Sequence, residues 1–317
     1  MSYPSLSCPP RFGTARNFDR PTLGPAVGAV SRRLGKPFMP WQQYVADVVM
    51  ELDPVTFRLV YNEMGLTIPR QQGKSTWVEA KSVHRCTATK FFGRRQHVVY
   101  TAQTRQKARE KWEEDFLPGL EASRDFRGRF KPHWGNGNEH VRFANGSRWG
   151  LEANTEKAGH GGTLDEAHID ESFAHRDFRL EQAFGPAMIT RVNKLLAWIG
   201  TAGWLDGSEY LQEKVDLGRR VALEGRQRGI AYFEWSAPEG ADPGDPGVWW
   251  GCMPALGWTI TENAIRGEYE KARDGGKLNE FRRAYLNQWV PRDVEADWEV
   301  VGAEAWGACA GRGPVLL

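Results

Sequence analysis

Residues 69–76 read Pro69-Arg70-Gln71-Gln72-Gly73-Lys74-Ser75-Thr76, between an apolar, strand-like run (57–68) and a helix-like one (77–85). A Gly-Lys-Ser turn placed so is a phosphate cradle. The glycine lets the backbone approach, the helix N-terminus offers unpaired N–H groups, the lysine neutralises β- and γ-phosphate oxygens, and the serine hydroxyl holds Mg²⁺. Gln71, Gln72, Gly73, Lys74, Ser75 and Thr76 are therefore the candidate ATP contacts, and Ser75 a candidate metal ligand. The match to the general pattern is imperfect. Ile68 stands where a glycine is expected five residues before Gly73, and Pro69 removes one backbone donor.

Hydrolysis of a nucleotide triphosphate needs two acids at the end of a buried strand near that cradle: an Asp for the Mg²⁺ shell and a Glu to polarise water. Two pairs compete. Asp165-Glu166-Ala167-His168 spells the DEAH signature of one helicase class, and Asp170-Glu171 follows directly. The residues before Asp165 are mostly glycine, which cannot supply the strand. Those before Asp170 (163–169) are long enough, though unusually polar, so Asp170 and Glu171 are preferred as metal ligand and general base.

The elements that would position these groups can be read along the chain. A helical run with Val45, Val48, Val49 and Leu52 at helical spacing follows Pro40-Trp41-Gln42. The amide of Gln42, donor and acceptor together, can read an adenine edge or simply start the helix. Residues 96–100 form a short buried strand ending at Thr101. Arg105, Lys107, Arg109 and Lys111 then alternate with acids, as on a solvated helix held by i,i+4 pairs or on a DNA-contacting one. Arg124, Arg127, Arg129 and Lys131 form a second basic cluster. Asn145-Gly146 between alternating runs predicts a hairpin over 140–152. A buried strand over 194–200 ends at Thr201-Ala202-Gly203, where a small hydroxyl beside the acidic strand could sense the γ-phosphate. Helical runs over 207–220, 261–273 and 280–289, among Gly-Asp-Pro loops, suggest a smaller subdomain.

The expected architecture is an α/β P-loop core with a mostly parallel central sheet and a small lid. Its parts are an irregular arm (1–35), the core (36–205), the lid or linker (206–290), and a linker opening a further domain (291–317). The 317 residues allow two domains. A formal charge of +2 does not by itself announce a nucleic-acid binder. No apolar run reaches the roughly 18 residues of a membrane helix. The four cysteines are far apart and read as reduced thiols.

Taken together, Pro40-Trp41-Gln42, Arg70-Gln71-Gln72-Gly73-Lys74-Ser75, Tyr100-Thr101-Ala102-Gln103, Asp170-Glu171, Thr201-Ala202-Gly203 and Tyr285-Leu286-Asn287-Gln288-Trp289-Val290 resemble the ATPase portion of tailed-phage large terminases, over about residues 36–300. That resemblance implies a RecA-like ATPase using ATP and Mg²⁺ to move double-stranded DNA into a procapsid, in the host cytoplasm. By the resemblance Gln42 contacts adenine, Arg70 lies near the γ-phosphate, and Thr201 couples hydrolysis to motion. It also implies a homo-oligomeric ring, a portal protein and a small terminase subunit as partners. Some relatives carry a trans-acting arginine in the loop before the acidic strand, where this chain has Lys157 and His160. The family's nuclease active site is expected beyond Leu317. Two other readings stay open: a DEAH-type helicase, and a non-catalytic DNA-binding scaffold.

Overall fold

The computed structural model describes residues 6–135, 137–152, 163–172 and 178–292. Nine strands among them form one sheet: β1 (Phe12–Gly13), β2 (Tyr61–Thr67), β3 (His97–Thr101), β4 (Phe130–His133), β5 (His140–Phe143), β6 (Arg148–Leu151), β7 (Glu166–Ile169), β8 (Leu195–Gly200) and β9 (Gly229–Glu234). Their spatial order is β1-β9-β2-β8-β7-β3-β6-β5-β4. The six central strands are parallel; β1 at one edge and the β5–β4 pair at the other are antiparallel.

Helices cover both faces, which is why β8 is an unbroken buried run rather than an alternating one. Alternate residues still divide between two cores. Leu195, Ala197 and Ile199 pack with Val78 and Val83 of the phosphate-loop helix Lys74–Thr87, and with Val45 and Val49 of helix Pro40–Val49. Leu196 and Trp198 face the other way, onto Phe184 of helix Arg179–Met188 and Val215 of helix Glu209–Leu223. A third cluster, including Trp249, Met253, Phe281 and Leu286, forms the lid.

Two boundaries differ from the sequence expectation. The stretch 1–35 is not irregular throughout: β1 pairs with β9, and helix Gly24–Arg33 packs on helix Pro40–Val49. The core does not stop at 205 either, because β9 lies beside β2 and helix Glu209–Leu223 packs on β9. The lid thus begins after Trp235. The short run Gly229–Glu234 is strand-like, but it hides between a polar helix and Gly-Pro loops. Cys8, Cys86 and Cys252 are buried free thiols, and no described helix is long and apolar enough to cross a membrane. Residues 293–317, with the expected opening of another domain, lie outside the described residues.

Candidate nucleotide site

In open α/β sheets, ligands bind beyond the carboxyl ends of the parallel strands. The ends of β2, β8, β7 and β3 meet here around a cavity of about 500 Å³, walled by Arg70, Lys74, Ser75, Asp170, Glu171 and Thr201 among others. Arg70 and Glu171, far apart in sequence, therefore face one space.

The loop itself is built for close approach. Gly73 caps the helix Lys74–Thr87 at φ +89°, and a Cβ there would come within 2.9 Å of Gln42 and Met39. Ile68, the apparent defect, is fully buried at the end of β2. Its carbonyl accepts from Thr201 Oγ1 at 2.9 Å and its N–H donates to Gly200 at 3.1 Å. Lys74 Nζ donates to Thr201 Oγ1 at 3.0 Å and to the Pro69 carbonyl at 3.1 Å. Because β8 lies between β2 and β7, Thr201 touches Lys74 directly. Burial pushes the Lys74 ammonium down to about 8, against the pull of Asp170.

Asp170 sits just past β7. Its Oδ2 accepts from the Tyr100 hydroxyl and its Oδ1 from the Glu171 N–H, both at 2.8 Å. Glu171 has φ +53°, uncommon for a residue with a Cβ, and its Oε2 is buried with no hydrogen-bond partner among the described residues. Gln71 (φ +64°) and Asn287 (φ +54°) are also left-handed. Such strain, of order 1–3 kcal/mol per residue, collects at functional sites. Asn287 Oδ1 holds the N–H of Ala202, next to Thr201, at 2.6 Å.

The DEAH pair is elsewhere. Glu166 lies inside β7, wholly buried, bridged to Lys81 and to Arg85 of the phosphate-loop helix, and it accepts from His168 Nε2 at 2.8 Å. Burial alone raises this carboxyl, but Lys81, His168 and Arg85 win and hold it at about 2. Asp165 is taken by Arg94, Arg191 and the His97 N–H. Glu166 ties that helix to the sheet, and neither acid lines the cavity.

Gln42 is turned inward. Its Oε1 accepts from the Met39 N–H at 2.7 Å and its Nε2 donates to the Gly73 carbonyl at 2.8 Å, with 1% of the residue exposed. It braces the phosphate loop, and this geometry lends nothing to adenine reading. Gln72 is likewise buried and accepts from Ala255 of the lid at 2.8 Å. Arg70 donates its N–H to Ala284, and its guanidinium, half exposed, lies 3.8 Å from Glu280. The loop is thus tied to the lid at two points. Gln71 lines the cavity, and Thr76 lies in the first turn of the helix Lys74–Thr87.

Sequence reasoning did not place Tyr100 on Asp170, nor Lys107, Lys111 and Thr259 in the cavity wall. The i,i+4 spacing of Lys107 and Lys111, just after a strand end, was the available signal. Lys157 and His160 lie outside the described residues.

Ser75 and Asp170 offer hard oxygen donors of the kind Mg²⁺ takes when it is held by one or two side chains plus substrate phosphates. The unpartnered Glu171 oxygen beside them suits a water-polarising role, so the residues present fit a Mg-nucleotide. Among the described residues, no group of three His, Cys, Asp or Glu side chains could hold a metal by itself.

The parallel sheet, the phosphate loop and the acids at the neighbouring strand tips define a RecA-like P-loop fold. Within it, the fold is that of the ATPase portion of phage large terminases. It is similar to the large terminase of bacteriophage HK97, with a TM-score of 0.72 and 21% identity over 85% of this chain and 56% of that one. The ATPase domain of the Thermus phage P74-26 large terminase follows, at 0.53 and 16% over 82% and 96%. The large terminase of another thermophilic bacteriophage, in complex with ADP, matches at 0.51 and 15% over 80% and 54%. This chain spans about half the length of the HK97 protein and of that ADP-bound terminase. No family model and no curated protein matches the sequence.

Proposed function

We propose that this chain is the ATP-hydrolysing portion of a phage DNA-packaging motor, binding ATP with Mg²⁺ and coupling its hydrolysis to movement of double-stranded DNA into a procapsid. One observation carries the reading. Lys74, Thr201 and the Asp170–Glu171 pair meet at adjacent strand tips, with Lys74 bonded to Thr201 at 3.0 Å and Glu171 Oε2 unpartnered. The ADP and ATP-γ-S complexes of the thermophilic-phage terminase support the same site by likeness.

Lys74 and the N–H groups of residues 73–76 bind the β- and γ-phosphates. Ser75 and Asp170 would hold Mg²⁺, which would supply charge neutralisation at those phosphates. Tyr100 fixes the Asp170 carboxylate, and Glu171 takes the proton from the attacking water. Arg70 is the cis candidate for the charge at the γ-phosphate, a contribution on the order of 10³–10⁵ in rate where such an arginine acts. Thr201 bridges Lys74 to the Ile68 carbonyl, and Asn287 of the lid holds the next residue. Movement of the ammonium on phosphate loss is therefore felt at the lid. A homo-oligomeric ring, a portal protein and a small subunit complete the motor in this reading.

Steady-state phosphate release tests it. The unaltered chain should hydrolyse ATP in the presence of Mg²⁺, and Lys74→Ala should lose roughly 10²-fold or more of kcat/KM, as removal of a transition-state charge contact does. A Lys74→Ala protein that turns over like the unaltered one sinks the reading.

A further inference from the structure

The β4 edge of the sheet carries cations that ATP chemistry does not use. Lys131 of β4 stands opposite Arg142 of β5, Arg142 opposite Arg148 of β6, and Arg148 opposite His97 of β3. Opposed residues on neighbouring strands share a face. Three strands thus line up one cationic side chain each, at steps of about 4.8 Å, with His97 of β3 next in the row. The face is the one turned away from the phosphate-loop helix, because Val141, Trp149 and Val98 occupy the other side of the same strands. Arg94, Arg95 and Arg191 come in from the turns before β3 and β8. With Arg142 and Arg148 they enclose a cleft of about 490 Å³. It lies at the amino ends of β3 and β6, roughly 13 Å along the strands from the tips that form the nucleotide cavity.

The charge of this row is not balanced internally. Asp165 is consumed by Arg94 and Arg191, while Lys131, Arg95 and Arg142 form no ion pair among the described residues. Arg148 donates to Asn138 through Nη2, yet its Nε is buried with no partner among the described residues. Like charges directly across a sheet are destabilising. Burial chiefly, and Arg142 after it, pull the Arg148 guanidinium below its ordinary value against Glu152, and His97 is pulled down by burial and by Arg148. An external anion relieves that repulsion.

Guanidinium forks match phosphate oxygens bidentately. Recognition of single strands uses aromatic rings on which bases stack, and this row offers none. Phe130 and Phe143 pack into the opposite face, and His133 and His140 are stacked on each other at 4.4 Å. Of the basic helix Arg105–Lys111, the sequence's first candidate for DNA contact, Arg105, Arg109 and Lys111 are instead paired with Glu139, Glu113 and Asp115, and Lys107 lines the nucleotide cavity. Of the second candidate cluster, Lys131 alone belongs to the row.

We infer that the row Lys131–Arg142–Arg148, with Arg95 beside it, grips the phosphate backbone of duplex DNA, a reading that rests on the proposed motor function and names its DNA surface. The test is fluorescence anisotropy of a short labelled duplex between about 50 and 200 mM salt, where log K falls by roughly 0.9 per phosphate contact for each unit of log salt. Arg95 and Arg142 are exposed, so Arg95→Gln/Arg142→Gln should fold. It should lower the salt slope by about 2 and weaken duplex binding at low salt roughly tenfold or more. Lys131→Gln alone should lower the slope by about 1. ATP turnover without DNA should stay unchanged in both. Arg266→Gln/Arg273→Gln on the lid, where Glu262 and Asp274 already pair those cations, should leave the slope alone. An unchanged slope in the Arg95/Arg142 variant, or a preference of the unaltered protein for single strands, overturns the inference. So does an unaltered protein that hydrolyses ATP but ignores the duplex. Absence of ATP hydrolysis in the unaltered protein strikes the motor reading instead.

Discussion

Glu171→Gln should stop ATP turnover while sparing ATP binding. Proton removal by a placed carboxylate contributes typically about 10²–10⁴-fold, so kcat should fall by that order with KM changed only a few-fold, the signature of an interaction made in the transition state. The structural ground is specific. The Glu171 N–H is pinned by Asp170 Oδ1, its backbone is held at φ +53°, and Oε2 is buried beside the cavity with no partner among the described residues. Glutamine keeps the shape and removes the proton acceptor. Glu166→Gln is the matched comparison, since it alters the acid that the DEAH reading would use. Measured in the cold on the folded fraction, it should hydrolyse ATP at near the unaltered rate. Single-turnover phosphate release, with a fluorescent nucleotide to report binding, separates the two. The opposite result, an active Glu171→Gln and an inactive Glu166→Gln, moves the chemistry to Asp165–Glu166.

The candidate site was legible because its parts sit at chain positions with local signals. Gly73-Lys74-Ser75 opens a helix, and Asp170 and Thr201 each end a strand. What the sequence concealed was partnership. The strand before Asp170 looked unusually polar because its polar residues, Glu166 and His168, have partners elsewhere. The i,i+4 pair Lys81 and Arg85 on the phosphate-loop helix answers Glu166, and Trp77 lies edge-on to His168 at 6.3 Å. The lid boundary was misplaced for a related reason: a strand such as Gly229–Glu234 shows its place only through pairing with β2. The row Lys131–Arg142–Arg148 is invisible in sequence, since register alone assembles it. Gln42 and Gln72 were legible as amides near the loop, but whether an amide faces ligand or backbone depends on what lies opposite it.

The buried cluster under the phosphate-loop helix sets the other large effect. Glu166→Gln should cost about 3–5 kcal/mol of stability, because it strands Lys81 inside the core, both side chains being wholly buried. Arg85 keeps Gln96 Oε1 and the Asn193 carbonyl, so the uncompensated charge is chiefly that of Lys81. Lys81→Met/Glu166→Gln, which removes both charges at similar volume, should recover most of the loss; replacing a buried pair by apolar groups is often neutral or better. Acid titration gives an independent sign. The Glu166 carboxyl is held at about 2 in the folded chain, against 4.5 ordinarily. Its contribution is therefore fully present above about pH 4.5 and lost as pH falls toward 2. That component should vanish from the denaturation profile of either variant. Urea unfolding across that pH range measures both effects. A Glu166→Gln protein as stable as the unaltered chain, or a double variant no better than the single one, would show that the pair does not secure the helix to the sheet.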